Sequence, residues 1–125
     1  MSHIAPISMK VQATLASYRI VTCVTSTANT CKYPASASER PIGITADTVL
    51  DTTGSIPVIS YGIAKLEFAS AVTSGNMVAA NSSGQGVAHT DVTAGSYIVG
   101  VLLGITAVTG SVAEILVQPG FKSIP

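Results

Sequence analysis

Two long apolar runs lie near the end of the chain and are separated by a polar turn. The runs cover residues 98–107 and 112–117, and the segment Val-Thr-Gly-Ser at 108–111 is typical of a turn. Many of their side chains are β-branched, and such side chains lose less rotamer freedom on a pleated sheet than in a helix. Gly100 and Gly104 would each weaken a helix by about 1 kcal/mol relative to alanine. The pattern therefore predicts a buried β-hairpin.

A weaker version of the same pattern occurs in the first half of the chain. Gly43 stands in the same local context as Gly100, at an offset of 57 residues, and three further pairs of positions have offsets of 56 to 58 residues. A near-constant offset between similar segments indicates an internal repeat. The sequence thus predicts two related β-units, residues 19–62 and 76–120.

Short segments of alternating or β-branched residues predict the remaining strands. They lie at residues 9–15, 18–25, 42–46, 56–60, 62–69, 77–80 and 87–90. Residues 32–39 contain a proline and two serines, which predicts an exposed loop. Residues 67–72 lack helix breakers and leave room for one short helical turn. Short strands without an amphipathic helical segment are typical of an all-β sandwich or barrel.

The two ends of the chain show no comparable pattern. Residues 1–8 have no strand alternation and are predicted to form an extended N-terminal arm, either disordered or docked on a neighbour. Residues 119–125 form a C-terminal tail with two large apolar side chains and nothing local to cover them. The domain organisation predicted from the sequence is therefore an arm, a single β domain over residues 9–118, and a tail.

The composition points to a protein with much of its surface in contacts. Hydrophobic residues make up 47% of the 125 residues, but charged residues make up only 10%, and the formal net charge is zero. A typical globular domain has about 25% charged residues. Depletion of charge is characteristic of interface cores, and a freely diffusing monomer of this kind would tend to associate. The alternative is a small β-domain whose surface is rich in serine and threonine.

Several classes of partner and compartment are disfavoured by the sequence. The six lysines and arginines are scattered and form no basic stripe, so we expect no nucleic-acid partner. No window has the roughly 18 apolar residues of a membrane span, and no secretory signal is visible at the N-terminus. Folding in a reducing cytoplasm predicts that Cys23 and Cys31 are free thiols, with a disulfide between them as the alternative.

No arrangement of residues predicts catalysis, a metal site or a cofactor. His3 lies in the arm and His89 beside a turn, and no cluster of Cys, His and acidic residues has metal-ligand spacing. Asp47 and Asp51 are close in sequence, but in a turn-rich segment such a pair is more often solvated than catalytic. Glu114 lies among apolar neighbours and is predicted to be an outward carboxylate. We therefore expect a protein that is not an enzyme.

Five short segments between residues 62 and 117 follow one another in a characteristic order. They are Gly62-Ile-Ala-Lys-Leu, Ala71-Val-Thr-Ser-Gly-Asn-Met-Val, Gly84-Gln-Gly-Val-Ala, Tyr97-Ile-Val-Gly-Val-Leu and Gly110-Ser-Val-Ala-Glu-Ile-Leu-Val. In this order they resemble the strand and turn motifs of tailed-phage capsid decoration proteins, also called cement or head-stabilising proteins. The resemblance covers residues 40–118 and, more loosely, the first forty residues. Asn76 and Ser111 depart from it, because that family usually has acidic residues at these turn positions.

The resemblance implies a small β-barrel or β-tulip-like sandwich that binds the outer surface of an icosahedral phage head. Such a protein is made in the host cytoplasm, joins the virion exterior, and stabilises junctions between major capsid proteins. A receptor- or carbohydrate-binding β module of a virion surface structure is the alternative. That function would require an exposed aromatic platform, yet the four tyrosines and two phenylalanines are dispersed. An enzyme fragment with a β-clip fold is a third hypothesis, and the missing acid–base residues disfavour it.

The expected partners are the major capsid protein and further copies of the chain. A homotrimer is favoured over a homodimer, since capsid lattices offer threefold as well as twofold junctions. Exposed apolar residues at the two ends are the predicted contacts with the capsid or between subunits. These residues are Ile4, Pro6, Ile7, Met9, Phe121 and Ile124.

Overall fold

The computed structural model describes residues 7–46, 54–88, 97–104 and 108–122, and for residues 119–122 it describes the backbone alone. Every secondary-structure element in these described residues is a β-strand, which confirms the predicted all-β class. They are β1 (Ile7–Val11), β2 (Ile20–Cys23), β3 (Thr30–Lys32), β4 (Pro41–Thr45), β5 (Ser55–Ile59), β6 (Gly62–Glu67), β7 (Met77–Ala80), β8 (Gly86–Ala88), β9 (Tyr97–Leu102) and β10 (Val112–Lys122).

The ten strands form two units of five. Strands β1 to β5 make a closed barrel in the order β1-β3-β2-β4-β5, here called the barrel unit. Strands β6 to β10 make a sheet in the order β6-β10-β9-β7-β8, here called the sheet unit. The barrel closes because β1 pairs with β5 on one side and with β3 on the other. A closed barrel leaves no strand edge free to pair with another chain.

Read around the closed barrel as β1-β5-β4-β2-β3, the barrel unit has the same strand order as the sheet unit, and three of its ladders recur in the same register. The ladder of β2 with β3 recurs as that of β7 with β8, shifted by two residues. Val21 lies opposite Gly43 in the barrel unit, and Val78 lies opposite Gly100 in the sheet unit, a shift of 57 positions on both strands. The ladders of β1 with β5 and of β4 with β5 recur under this shift in the sheet unit. The register repeat therefore includes β1 and β6, and apart from Gly62 both lie outside the copies predicted at 19–62 and 76–120.

The units differ in how completely they close. In the barrel unit, the N–H of Lys10 donates to the carbonyl of Asn29 at 2.8 Å, and two residue pairs join β1 to β3 in parallel. In the sheet unit, the corresponding parallel pairing consists of a single bridge between Phe68 and Gly86. The sheet unit is thus a barrel that remains open along one seam.

A segment of the barrel unit fills this seam. Glu67 and Gly84 occupy the places of Lys10 and Asn29, but they bind residues 18–20 instead of each other. The Glu67 N–H donates to the carbonyl of Tyr18 at 2.9 Å, and the Ile20 N–H donates to the carbonyl of Gly84 at 2.6 Å. A Cβ on Gly84 would lie 2.6 Å from the Ile20 carbonyl oxygen, so only glycine permits this approach.

Two hydrophobic clusters correspond to the two units. The barrel cluster consists of Met9, Val11, Leu15, Val21, Cys31, Ile56 and Val58. The larger cluster contains the inward side chains of the sheet unit, among them Leu66, Phe68 and Ile115, together with Ile20 and Ile44 from the outer face of the barrel unit. The second cluster is therefore shared, and it joins the two units into one packed body.

Several local predictions differ from the structure. Strand β1 begins at Ile7, inside the predicted arm, and β10 continues to Lys122, inside the predicted tail. Residues 68–72 contain a bend and isolated bridges, not a helical turn, because the backbone of Phe68 pairs with strand β8. Strand β3 was not predicted, and the loop after it is only partly exposed, since Pro34 and Ala37 are buried.

Candidate binding surface

One apolar row crosses the outer face of the sheet unit, and we call it the outer row. It consists of Met77, Val101, Leu116 and Ile63, one residue on each of β7, β9, β10 and β6. Each is the registered partner of the next across the ladders. Met77 and Ile63 are 44% and 54% exposed, and the two central residues are half-buried. Directly opposed side chains lie close together, so the row is a continuous apolar surface.

The equivalent row of the barrel unit is covered. Ile20, Ile44 and Ile59 occupy the register positions of Met77, Val101 and Leu116. Ile20 and Ile44 are fully buried in the cluster of the sheet unit, and Ile59 packs against it. The same face of the same small fold is thus an interface in one unit and open in the other.

Two opposite charges lie beside the outer row. Lys65 and Glu114 are exposed, are registered partners on β6 and β10, and point to the same outer face as Ile63 and Leu116. Within the described ranges, neither takes part in an ion pair shorter than 4 Å; the ion pairs found there are Arg19–Glu67 and Lys32–Glu39. Both charges therefore remain available to a partner.

A cleft of about 350 Å³ lies at the boundary between the units and adjoins the outer row. It is lined by Tyr18, Thr45, Ala46, Ile59, Ile63, Ala64, Lys65 and Glu114. Ile63 belongs to both the cleft and the row. The cleft has room for a side chain of a bound protein, but it contains no nucleophile–base pair that would suggest catalysis.

A polar network ties the two units together beside the filled seam. The Arg19 guanidinium donates to Glu67 Oε2 at 3.0 Å and to the Ser83 carbonyl at 3.0 Å. Gln85 Nε2 donates to the same carboxylate oxygen at 2.6 Å, and the guanidinium lies 5.9 Å from the ring centre of Tyr33. Glu67 is thus occupied by structural contacts, and the network is a junction and not a ligand site.

The residues predicted to contact the capsid or another subunit differ in their exposure. Ile7 is 48% exposed at the start of β1 and remains a candidate contact. Met9 is only 7% exposed, because β1 alternates and directs Met9 into the barrel cluster; it is not available as a surface contact. Ile4, Pro6 and Ile124 lie outside the described residues, and the side chain of Phe121 does too.

Other residues considered for chemistry are not brought together by the described structure. His3, His89, Asp47 and Asp51 lie outside it, and Glu114 is exposed as predicted. The described residues include no group of three or more Cys, His, Asp and Glu that could hold a metal ion. No helix among them is long and apolar enough to cross a membrane.

The two cysteines are free thiols in registered positions on β2 and β3. Cys23 is exposed and Cys31 is buried in the barrel cluster. Burial of Cys31, with the nearby Cys23 as a smaller cause, raises the pKa of its thiol from 9.0 to about 11. A thiol with such a pKa is a poor nucleophile at neutral pH.

Sequence reasoning missed the outer row. Each member lies in a predicted strand, and the two-residue period of a strand shows which of its neighbours share a face with it. The sequence does not show which face of the sheet is covered, because both faces of β9 and β10 carry apolar side chains. The 57-residue offset of the repeat could have identified the row, since it aligns Met77, Val101 and Leu116 with the isoleucines of the barrel unit.

The whole fold is similar to that of a solved phage protein. No protein-family model matches the chain, and no curated protein does. Among solved structures, the N base of the head fiber gp8.5 of bacteriophage phi29 matches with a TM-score of 0.72. The match covers 94% of this chain and 95% of the phage chain, at 10% sequence identity. At this identity the similarity establishes a shared fold across nearly the full length of both chains.

Proposed function

We propose that this chain is a structural protein of a bacteriophage virion that binds the outer surface of the icosahedral head and stabilises junctions between major capsid proteins. The observation that carries the proposal is the match to a phage head-fiber base across 94% of the chain. The order of short motifs that resembles capsid decoration proteins supports the same function independently of the fold. The low charge and the exposed apolar surface fit a protein that acts by binding, without catalysis.

The head contact is proposed at the ends of the chain. Ile4, Pro6 and Ile7 at the start, with Phe121 and Ile124 at the end, would contact the major capsid protein. A short apolar segment that leads into β1 can lie extended on a neighbouring sheet and add to its hydrogen bonding. Met9 is excluded from this contact because it is buried.

Purified virions test the proposal. Quantitative mass spectrometry of phage particles should find this chain at a copy number comparable to that of the major capsid protein, and immunogold labelling should place it on the head. Absence from the particle, or a few copies at the tail, would contradict it.

The alternative, a receptor- or carbohydrate-binding module, makes a different prediction. It requires glycan binding by the purified chain, whereas Tyr61 is the one aromatic side chain that is largely exposed among the described residues. A glycan array with specific binding, together with location away from the head, would favour this alternative.

A further inference from the structure

The outer row is an apolar surface whose counterpart in the same chain already has a known occupant. In the barrel unit the equivalent row, Ile20, Ile44 and Ile59, is covered by the sheet unit. The covering body is thus another five-stranded unit of the same fold. In the barrel unit, this face of the repeat is therefore buried against protein.

We propose that the outer row of the sheet unit is the contact with a second copy of this chain. Its two exposed members, Met77 and Ile63, lie at the ends of a row four strands wide. Burial of large apolar side chains is the main favourable contribution to association. Because the chain has few charged residues and no net charge, charge repulsion between two copies is small.

The charges beside the row favour a two-fold contact. Lys65 and Glu114 lie side by side on neighbouring antiparallel strands, and neither has an ion-pair partner in the described part of the chain. A two-fold axis that runs parallel to the strands between β6 and β10 would exchange these two positions, so each Lys65 would face the partner's Glu114. A surface that carries one positive and one negative charge in this way is self-complementary.

An open chain of copies is disfavoured by the closed barrel. The contact within the chain depends on residues 18–20 entering the seam between Glu67 and Gly84. In the barrel unit the corresponding seam is closed by the hydrogen bond from Lys10 to Asn29. A second copy cannot repeat the internal contact there, so the arrangement that we propose is a closed pair in which two equivalent outer rows meet across a two-fold axis.

The test uses the purified full-length chain without capsids, so it does not depend on the proposed function. Light scattering during size-exclusion chromatography should give the mass of a dimer at micromolar concentration. Ile63→Asp should raise the dissociation constant at least about tenfold, because a desolvated carboxylate would face the partner's apolar row. Met77→Asp should raise it less, because β7 lies farther from the axis. Circular dichroism should show unchanged strand content, since both positions are exposed.

The matched control is Val108→Asp. Val108 is 58% exposed but lies in the turn before β10, away from the row, and this variant should associate like the wild type. A monomeric wild-type chain at 100 µM, as an order of magnitude for a weak dimer, would overturn the proposal. So would row variants that associate as tightly as the control.

A charge-swap experiment tests the two-fold arrangement. Lys65→Glu and Glu114→Lys should each weaken association, because like charges then face one another. An equimolar mixture of the two variants should associate again, since each then meets its opposite across the contact. Restoration in the mixture distinguishes a contact between chains from one within a chain. A trimeric mass, or no restoration in the mixture, would overturn the two-fold arrangement.

Discussion

Two glycines lie at equivalent positions of the repeat, where neighbouring strands come too close for a side chain. A Cβ on Gly43 would collide with the carbonyl oxygen of Ile59, and a Cβ on Gly100 with that of Leu116. Both collisions involve backbone, which cannot move aside without displacing a strand. The shared constraint explains why the glycines recur at the same register position in both units.

Substitution of either glycine should therefore destabilise the fold. We expect Gly43→Ala and Gly100→Ala each to lower the free energy of unfolding by about 1–3 kcal/mol, as overpacking does in other cores. Urea unfolding followed by circular dichroism measures the change. Gly104→Ala is the control, because the nearest atom to its Cβ among the described residues would be 3.7 Å away. Equal stability of Gly100→Ala and Gly104→Ala would show that the strands are less closely packed.

The cysteines should differ in reactivity and contribute a pH dependence. An aromatic disulfide reagent should modify Cys23 in the native chain and Cys31 only after unfolding, and unreduced, unfolded protein should contain two thiols. Since the Cys31 thiol ionises near 9.0 when unfolded and at about 11 when folded, deprotonation favours the unfolded state between these values. Stability should fall over pH 9–11 more in the wild type than in Cys31→Ala. A parallel fall in both would contradict this assignment.

At the scale of elements, the junction between the units depends on the segment that fills the open seam. Residues 18–20 bind both sides of the seam through backbone hydrogen bonds, and Arg19 adds its contacts to Glu67 and Ser83. The side chains of Arg19 and Glu67 are partly buried, at 19% and 28% exposure. Hydrogen bonds to charged groups in such positions contribute more than ion pairs at the surface.

Arg19→Met should lower the free energy of unfolding by about 1.5–3 kcal/mol, because it leaves the Glu67 carboxylate with fewer donors. The comparison is Lys32→Met, which removes the longer and more exposed Lys32–Glu39 pair at 3.4 Å. That change should cost no more than about 1 kcal/mol. Chemical denaturation of both variants measures the difference, and equal effects would show that the junction is no stronger than a surface pair.

The last two residues of the predicted N-terminal arm belong to strand β1. Ile7 and Ser8 pair with Val58 and Pro57 of β5, so removal of residues 2–8 would take away part of a barrel strand. Deletion of residues 2–6 leaves β1 intact. We expect it to weaken binding to phage heads at least about tenfold while the melting temperature changes little.

A pull-down of the deletion variant with purified heads measures this effect. The control replaces residues 2–6 by a Gly-Ser segment of equal length, which keeps the chain length but removes Ile4 and Pro6. Undiminished head binding by both variants would exclude the arm as the contact.

At the scale of the whole molecule, the two units share one hydrophobic cluster. Ile20 and Ile44 belong to the barrel unit by sequence but are buried with the sheet unit. Unfolding of the barrel unit alone would expose the inner face of the sheet unit to water. We therefore expect a single cooperative transition, with equal calorimetric and van 't Hoff enthalpies.

Hydrogen exchange provides a second measurement of this cooperativity. The slowest amides of β2 and of β10 should exchange with the same opening free energy, because both open only in global unfolding. Two separate thermal transitions, or much lower protection in one unit, would show that the units are independent domains.

Much of this fold is determined locally and is visible in the sequence. The strand period at β1, the β-branched runs of β9 and β10, and the recurrence of Gly43 as Gly100 follow from short-range constraints. They therefore predict an all-β protein with an internal offset of about 57 residues. Strand β3 was not predicted because a strand of three residues is too short to show an alternating pattern. Its pairing with β1 depends on residues that are distant in the sequence.

Tertiary structure alone decides how the two similar units differ. Both carry an apolar row at equivalent positions, and the side chains of Ile20 and Met77 are similarly hydrophobic. One row is buried and the other exposed because residues 18–20 enter the seam of the sheet unit, whereas the seam of the barrel unit is closed by its own strands. Burial is a property of the neighbour that covers a residue, and a local pattern does not specify that neighbour. For the same reason Met9, predicted as a surface contact, lies in the barrel core.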